Sequence, residues 1–168
     1  MASSPDSESP AISPTVVVLP CSKEKCWHVE PERGAVVASA AYISPLHLAA
    51  QAYAQTSGND WLILSALHGL LRPDDLVPSD YDVTFSRPDD PVISADDLAA
   101  QVHRRGFDAA QQIVSLCPDD YTERLRAAFG AIPVNAPLAG IALHDLAAMT
   151  RQISTLTAQL DGAAESSA

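Results

Sequence analysis

The residues best suited to chemistry lie in one short stretch, CSKEKCWH, residues 21–28. It holds two thiols, Cys21 and Cys26, one imidazole, His28, and the chain's two lysines, Lys23 and Lys25. Every other basic side chain is an arginine: Arg33, Arg72, Arg87, Arg104, Arg105, Arg124, Arg126 and Arg151. Arginine stays protonated in proteins, so it serves neither as a base nor as an amine nucleophile. Lysine can do both once burial or a neighbouring cation lowers its pKa. Three roles are therefore open for Lys23 and Lys25: solvated charges beside Glu24, point charges for a phosphate, or covalent and acid–base chemistry. Cys21 is open in the same way. It is either a small apolar core residue or a nucleophile whose thiolate nearby cations favour, with His47 or His68 as the base. Cys26 reads as packing.

The elements that would position these groups follow from the pattern. Thr15–Pro20 (TVVVLP) and Trp61–Ala66 (WLILSA) are apolar without alternation, as strands buried on both faces are. Gln112–Cys117 and Ile132–Pro137 are shorter strand candidates. Ser44-Pro45 has the form of an N-cap followed by proline at the first helical position. Ser94 opens a second helix with Asp96 and Asp97 in its first turn. Pro118 opens a third that carries Tyr121, Leu125 and Phe129 on one face. A last helix is expected from about Gly140 to Leu160, with Leu143, Leu146, Ile153 and Leu156 inward. This order implies an α/β fold, a single domain over residues 14–160 with a mostly parallel sheet of about four strands flanked by helices. Residues 1–13 and 161–168 read as disordered tails. The Pro/Asp-rich segment 72–92 is long for a plain connection and reads as a functional loop or lid.

In open α/β sheets, ligands bind outside the carboxyl ends of the strands. Cys21, Ser22, Lys23 and Lys25 follow the first strand; Ser65, His68 and Gly69 close or follow the second; Tyr121 follows the third. His47 lies three residues after Ser44, so the two share a helix face. Tyr81 is placed as an aromatic cover for a flat ligand or as an anchor of its loop. His103 and His144 read as ordinary helix residues. Zinc has donor types in Cys21, Cys26 and His28 with His47 or His68. A lone Cys-x4-Cys spacing is nevertheless at the edge of structural zinc sites, and neither metal nor cofactor is expected. No Gly-x-Gly-x-x-Gly, Walker loop or nucleophile elbow is present.

The net charge of −11 argues against a general grip on a phosphate backbone, so nucleic acid is disfavoured as a partner. Three cysteines, no apolar run of spanning length and no signal-peptide pattern fit a cytoplasmic protein with no membrane partner.

The segments VVVLPCSKEK, YISPL, WLILSALHGLLRPDD, SDYD and PLAG, in that order, resemble a family of small bacterial and phage proteins of unknown function. The resemblance spans Val16 to about Leu146. A second, shorter resemblance is to archaeosine synthase. There a Pro-Cys-x3-Lys segment is followed by tyrosine, serine and histidine, and the lysine becomes attached to a deazaguanine nitrile. Pro20-Cys21-x3-Lys25 and Ser44-x2-His47 match this pattern. Cys26-Trp27 replace the proline and tyrosine that follow the lysine in that enzyme, and Tyr42 precedes Ser44 by two residues rather than three. Leu67 stands where the first family carries a second lysine, and GIALHDL departs from its glycine-rich ending.

What the second resemblance implies is an amine beside Cys21, Ser44 and His47 that attacks a flat heterocycle. Related α/β folds of the uracil-DNA glycosylase type also handle nucleobases, which is an analogy of fold. The expectation is an enzyme acting on a small-molecule nucleobase, nucleoside or nucleotide. Cys21, Lys25, Ser44, His47 and His68 would be catalytic, and Ser22, Lys23, Tyr42, Ser65, Gly69, Tyr81 and Tyr121 would contact substrate. The alternative is a non-catalytic nucleotide-binding module.

Overall fold

A computed structural model describes residues 11–166; residues 1–10 of the expected 1–13 tail and residues 167–168 of the expected 161–168 tail lie outside the described residues. Ser13, expected in the N-terminal tail, is tied to the strand that begins at Asp60: its amide donates to Asp60 Oδ2 (2.8 Å) and its hydroxyl accepts from the Asp60 amide (3.0 Å).

The β-branched run Thr15–Pro20 is strand β1, with Val16, Val17, Val18 and Leu19 fully buried. After it come β2 (Val36–Val37), α1 (Ala38–Ala41), α2 (Pro45–Ser57) and β3 (Asp60–Ser65). Then follow β4 (Gly69–Leu71), β5 (Leu76–Val77), α3 (Ala95–Arg104) and β6 (Gln112–Ser115). The chain closes with α4 (Asp119–Phe129), β7 (Val134–Asn135) and α5 (Leu146–Ser166).

Five strands form the main sheet in the order β4-β3-β1-β6-β7, and β2 pairs with β5 in a separate antiparallel ribbon. β1 runs parallel to β3 on one side (Val18 opposite Leu62) and to β6 on the other (Val18 opposite Ser115). β7 continues parallel to β6, while β4 folds back antiparallel on β3. The fold is thus α/β with a mostly parallel sheet, as expected, with β4 as a fifth strand. Three residues beginning with glycine carry no periodicity, so GLL gives no strand signal in the sequence.

Alternation along β1 builds two cores. Val17 and Leu19 pack toward Leu46, Ala50 and Ala54 of α2 and Met149 and Ile153 of α5. Val16 and Val18 pack toward Leu98 and Val102 of α3 and Tyr121, Leu125 and Phe129 of α4. Helices therefore cover both faces of the sheet, and the central strand β1 is buried on both sides, while the edge strand β7 is partly exposed.

Caps set the helix starts as the sequence indicates. Ser44 Oγ accepts from the His47 amide (3.2 Å), and Ser94 Oγ accepts from the Asp97 amide (3.0 Å). The last helix departs from expectation at both ends. It starts at Leu146 rather than near Gly140, which adopts φ +84°, and it runs on to Ser166. Leu143 and Leu146 are 46% and 51% exposed rather than inward; Met149 and Ile153 are the buried positions, and Leu156 is half-buried. Among the described residues, no helix is long and apolar enough to cross a membrane.

A candidate active-site cleft at the switch point

Strand order reverses between β1 and β6: the chain leaves β1 toward β3 on one side and passes from β6 to β7 on the other. A crevice opens at the carboxyl ends of two such strands because their connections diverge. Cys21 directly follows β1, and Pro118 and Tyr121 follow β6. Here they wall a cleft of about 290 Å³ with Ser22, Lys23, Glu24, Lys25 and Ser44. The opposite wall comes from the segment after β5, through Asp82, Val83, Thr84, Ser86 and Arg87.

Local pairing brings the lysine loop and the serine together. Lys25 forms an antiparallel bridge with Tyr42, and the Ile43 amide donates to the Glu24 carbonyl (3.1 Å). Ser44 therefore sits beside the lysine loop, although its hydroxyl oxygen is engaged as the α2 cap.

Lys25 is only 2% exposed, which is unusual for a lysine. Its Nζ donates to the Tyr81 carbonyl (2.7 Å) and, at longer range, to the Lys23 carbonyl (3.4 Å). It also lies 4.3 Å from the centroid of the Tyr81 ring. Burial holds the Lys25 pKa below its ordinary value, against the opposing pull of Cys21, Asp80, Asp82 and Glu24. Cys21 is half-buried in the same cleft, with Sγ 3.5 Å from Tyr121 Oη. The Tyr121 hydroxyl also donates to Thr84 Oγ1 (3.3 Å), and burial raises its pKa.

Below Lys25 lies a buried polar chain. The Tyr81 hydroxyl bonds both the Tyr42 hydroxyl and Ser65 Oγ, the latter at 2.7 Å. Ser65 Oγ in turn accepts from the amides of Leu67 (3.2 Å) and His68 (3.0 Å), closing the turn into β4. Burial drives the pKa values of both tyrosines up, so they act as neutral hydroxyls.

The sequence-derived site residues thus separate into two groups. Cys21, Ser22, Lys23, Lys25, Ser44 and Tyr121 share the cleft. Tyr42, His47, Ser65, His68, Gly69 and Tyr81 lie outside its lining and hold the residues that form it. His47 is fully buried: Nδ1–H donates to the Pro20 carbonyl (2.8 Å), and Nε2 lies 3.2 Å from the Gln51 side-chain amide. Burial lowers its pKa, so the neutral ring pins the end of β1 directly before Cys21. The His68 ring stands edge-on to Tyr81 at 5.0 Å, and its buried Nε2 has no hydrogen-bond partner among the described residues. Gly69 has φ +80° at the β3–β4 turn. Cys26 is in the core, as read from sequence, while His28 points outward to Asp80 at 3.3 Å. Among the described residues, no three His, Cys, Asp or Glu side chains converge to hold a metal ion.

Sequence reasoning marked segment 72–92 as functional without saying which of its residues face the site. Arg87 is the main addition. It is held by Asp82 (2.9 Å) and Asp90 (2.8 Å), and its hydrogen bonds, with its charge behind them, keep both carboxyls below their usual range. The segment is stitched to α4 as well, because Ser86 Oγ donates to Asp120 Oδ2 (2.5 Å) and Phe85 packs edge-on against Tyr121. These contacts join residues with no shared period or motif, so the sequence offered only the Pro/Asp composition as a signal.

Comparison with known proteins gives the chain its relatives. Over 113 residues it is 45% identical to the "Uncharacterized protein YfjM" of Bacillus subtilis (strain 168), covering 67% of this chain and 75% of that one. Among solved structures, AF0587, a protein of unknown function, superposes with a TM-score of 0.42 at 14% identity. That alignment covers 85% of this chain, which spans only 44% of AF0587. Residues 16–152 match a family of unknown function, DUF6884, and the chain belongs to that family.

Proposed function

We propose that the chain is an enzyme acting on a nucleobase, nucleoside or nucleotide, with Lys25 or Cys21 as the nucleophile. The observation that carries this reading is Lys25 itself. It is a buried lysine whose ammonium is disfavoured by its surroundings, lining the same cleft as a half-buried thiol. A deprotonated amine is a competent nucleophile, and desolvation is a recognised way to obtain one.

The walls suit a flat, polar heterocycle. Tyr121, Val83 and Leu46 offer apolar surface; Ser22, Thr84, Ser86 and Asp120 offer donors and acceptors at the edges. In an addition by Lys25, the nitrogen lone pair forms a bond to an electrophilic C=N or C≡N carbon. The π electrons move to the nitrogen of that C=N or C≡N group, which takes up the proton lost from Lys25. Such a step needs neither an oxidant nor a leaving group. His47 supports it by fixing the Pro20 carbonyl, and hence the start of the Cys21 loop, rather than by reaching the substrate.

One observation favours the second reading, a nucleotide-binding module without chemistry. The bond from Lys25 Nζ to the Tyr81 carbonyl suits an ammonium that clamps the opposite wall. The two readings part in a thermal-shift screen of wild type and Lys25→Arg against nucleobases, nucleosides, nucleotides and deazapurines, with intact mass recorded. A ligand that stabilises the wild type and leaves a mass increment absent from Lys25→Arg supports the enzyme. Equal stabilisation of both without an adduct supports the binding module.

A further inference from the structure

The cleft does not end at Leu46. A second cavity of about 410 Å³ adjoins it, and Glu24, Ser44, Leu46 and Leu146 belong to the walls of both. The extension runs between the start of α2 and the first turns of α5, over Pro45, Leu46, Leu146 and Ala147, and reaches Thr150 and Arg151. From Leu146 to Arg151 the helix advances ~7.5 Å.

From this continuity we infer that the substrate is a nucleoside 5′-phosphate, its base held at Cys21 and Lys25 and its phosphate at Arg151. The inference rests on the nucleobase reading above and specifies the rest of the molecule. Small-ligand sites typically occupy roughly 300–1,000 Å³, so the main cleft alone lies at the bottom of that range. It suits a base; the sugar and phosphate require the extension.

The chemistry changes along the trough in the order such a ligand needs. On the shared wall the Glu24 carboxylate accepts from a sugar hydroxyl, and the Ser44 hydroxyl, whose oxygen already accepts from the His47 amide, can donate to one. Leu46, Leu146 and Ala147 offer apolar surface to the carbon face of the ribose. Arg151 is the single cation lining the extension, and it makes no ion pair among the described residues. A free guanidinium presents the planar fork that binds phosphate oxygens in pairs. The Thr150 hydroxyl is committed to the Leu146 carbonyl (2.7 Å), which leaves the anion to Arg151. The half-exposed Leu146 side chain, unexplained by core packing, becomes the surface on which the sugar lies.

The test is calorimetric titration of the full chain with guanine, guanosine and GMP, and with adenine, adenosine and AMP. In one of the two series the monophosphate should bind about tenfold more tightly than its nucleoside, equivalent to ~1.4 kcal/mol. The advantage should shrink as salt rises. Arg151→Gln should abolish it while leaving nucleoside binding unchanged. Ala147→Phe, at an exposed helix position, should fill the trough and weaken nucleoside and monophosphate alike while leaving the free base bound. If a base or nucleoside binds and its phosphate adds nothing, this inference is overturned and the nucleobase reading stands. If Arg151→Gln keeps the full advantage, the assignment of Arg151 is wrong. If none of the six ligands binds, this inference falls, and the nucleobase reading falls with it when the remaining nucleobases and deazapurines of the thermal-shift screen also fail to bind.

Discussion

Gly69 offers the sharpest test of how the residues behind the cleft are held. It occupies the β3–β4 turn at φ +80°, where a side chain costs roughly 1–2 kcal/mol. A Cβ built there would run into Gln101 Oε1 and would lie 2.7 Å from Ile93 Cδ1. Gln101 cannot yield freely, because its oxygen accepts from the Leu70 amide (2.7 Å) and its nitrogen donates to the His68 carbonyl (3.0 Å). Displacing it forfeits two hydrogen bonds at roughly 0.5–1.5 kcal/mol each. Gly69→Ala should therefore destabilise the fold by roughly 2–5 kcal/mol, lowering Tm by about 4–20 °C for a chain of this size. Urea denaturation of Gly69→Ala, Gln101→Ala and the double variant separates the contributions. With Gln101 already removed, Gly69→Ala should cost only the conformational ~1–2 kcal/mol, giving a coupling of roughly 1–3 kcal/mol. Additive costs, or a Tm loss below about 2 °C for Gly69→Ala, would refute the argument.

Two further outcomes follow from the polar groups under the cleft. Tyr81→Phe strips a partner from both the Tyr42 hydroxyl and Ser65 Oγ and should cost roughly 1–3 kcal/mol in urea denaturation; a neutral result would mean that water replaces the link. Lys25 has a folded pKa below its ordinary 10.5, so between the two values the unfolded chain binds more protons than the folded one. Wild-type stability should accordingly rise with pH through that window relative to Lys25→Met, and parallel stability–pH curves for the two proteins would refute the lowered pKa.

Most of the architecture was legible because burial on both faces leaves a mark in composition. The VVVL and LIL runs identify the central strands, and Ser44-Pro45 and Ser94 mark two helix starts. What escaped notice was short or lay outside regular structure. β4 is three residues long, and the β2–β5 ribbon joins pairs of residues far apart in sequence. Leu143 was misplaced because the left-handed Gly140 delays the start of α5.

At the site, being next to a strand end identified Cys21, Lys25 and Tyr121, since every parallel strand delivers its following residues to one rim. It did not say which way each side chain turns. His47 shares the helix face of Ser44, yet it turns into the core to bond Pro20, a partner 27 positions away in the chain. Arg87 and Asp82 carry no motif and enter the cleft only because Lys25, Ser65 and Asp120 anchor the segment at both ends.

The placement of the two tryptophans gives the molecule its own optical reporter. Trp27 stands two positions beyond Lys25, buried, with its indole N–H donating to the carbonyls of Arg33 (2.8 Å) and Gly34 (3.1 Å). Trp61 lies near the opposite end of the sheet, as the second residue of β3, opposite Val17. Any rearrangement of the lysine loop must disturb the surroundings of the first indole and leave the second untouched. In a Trp61→Phe protein, emission would come from Trp27 alone, so occupancy of the cleft could be followed by light without a label.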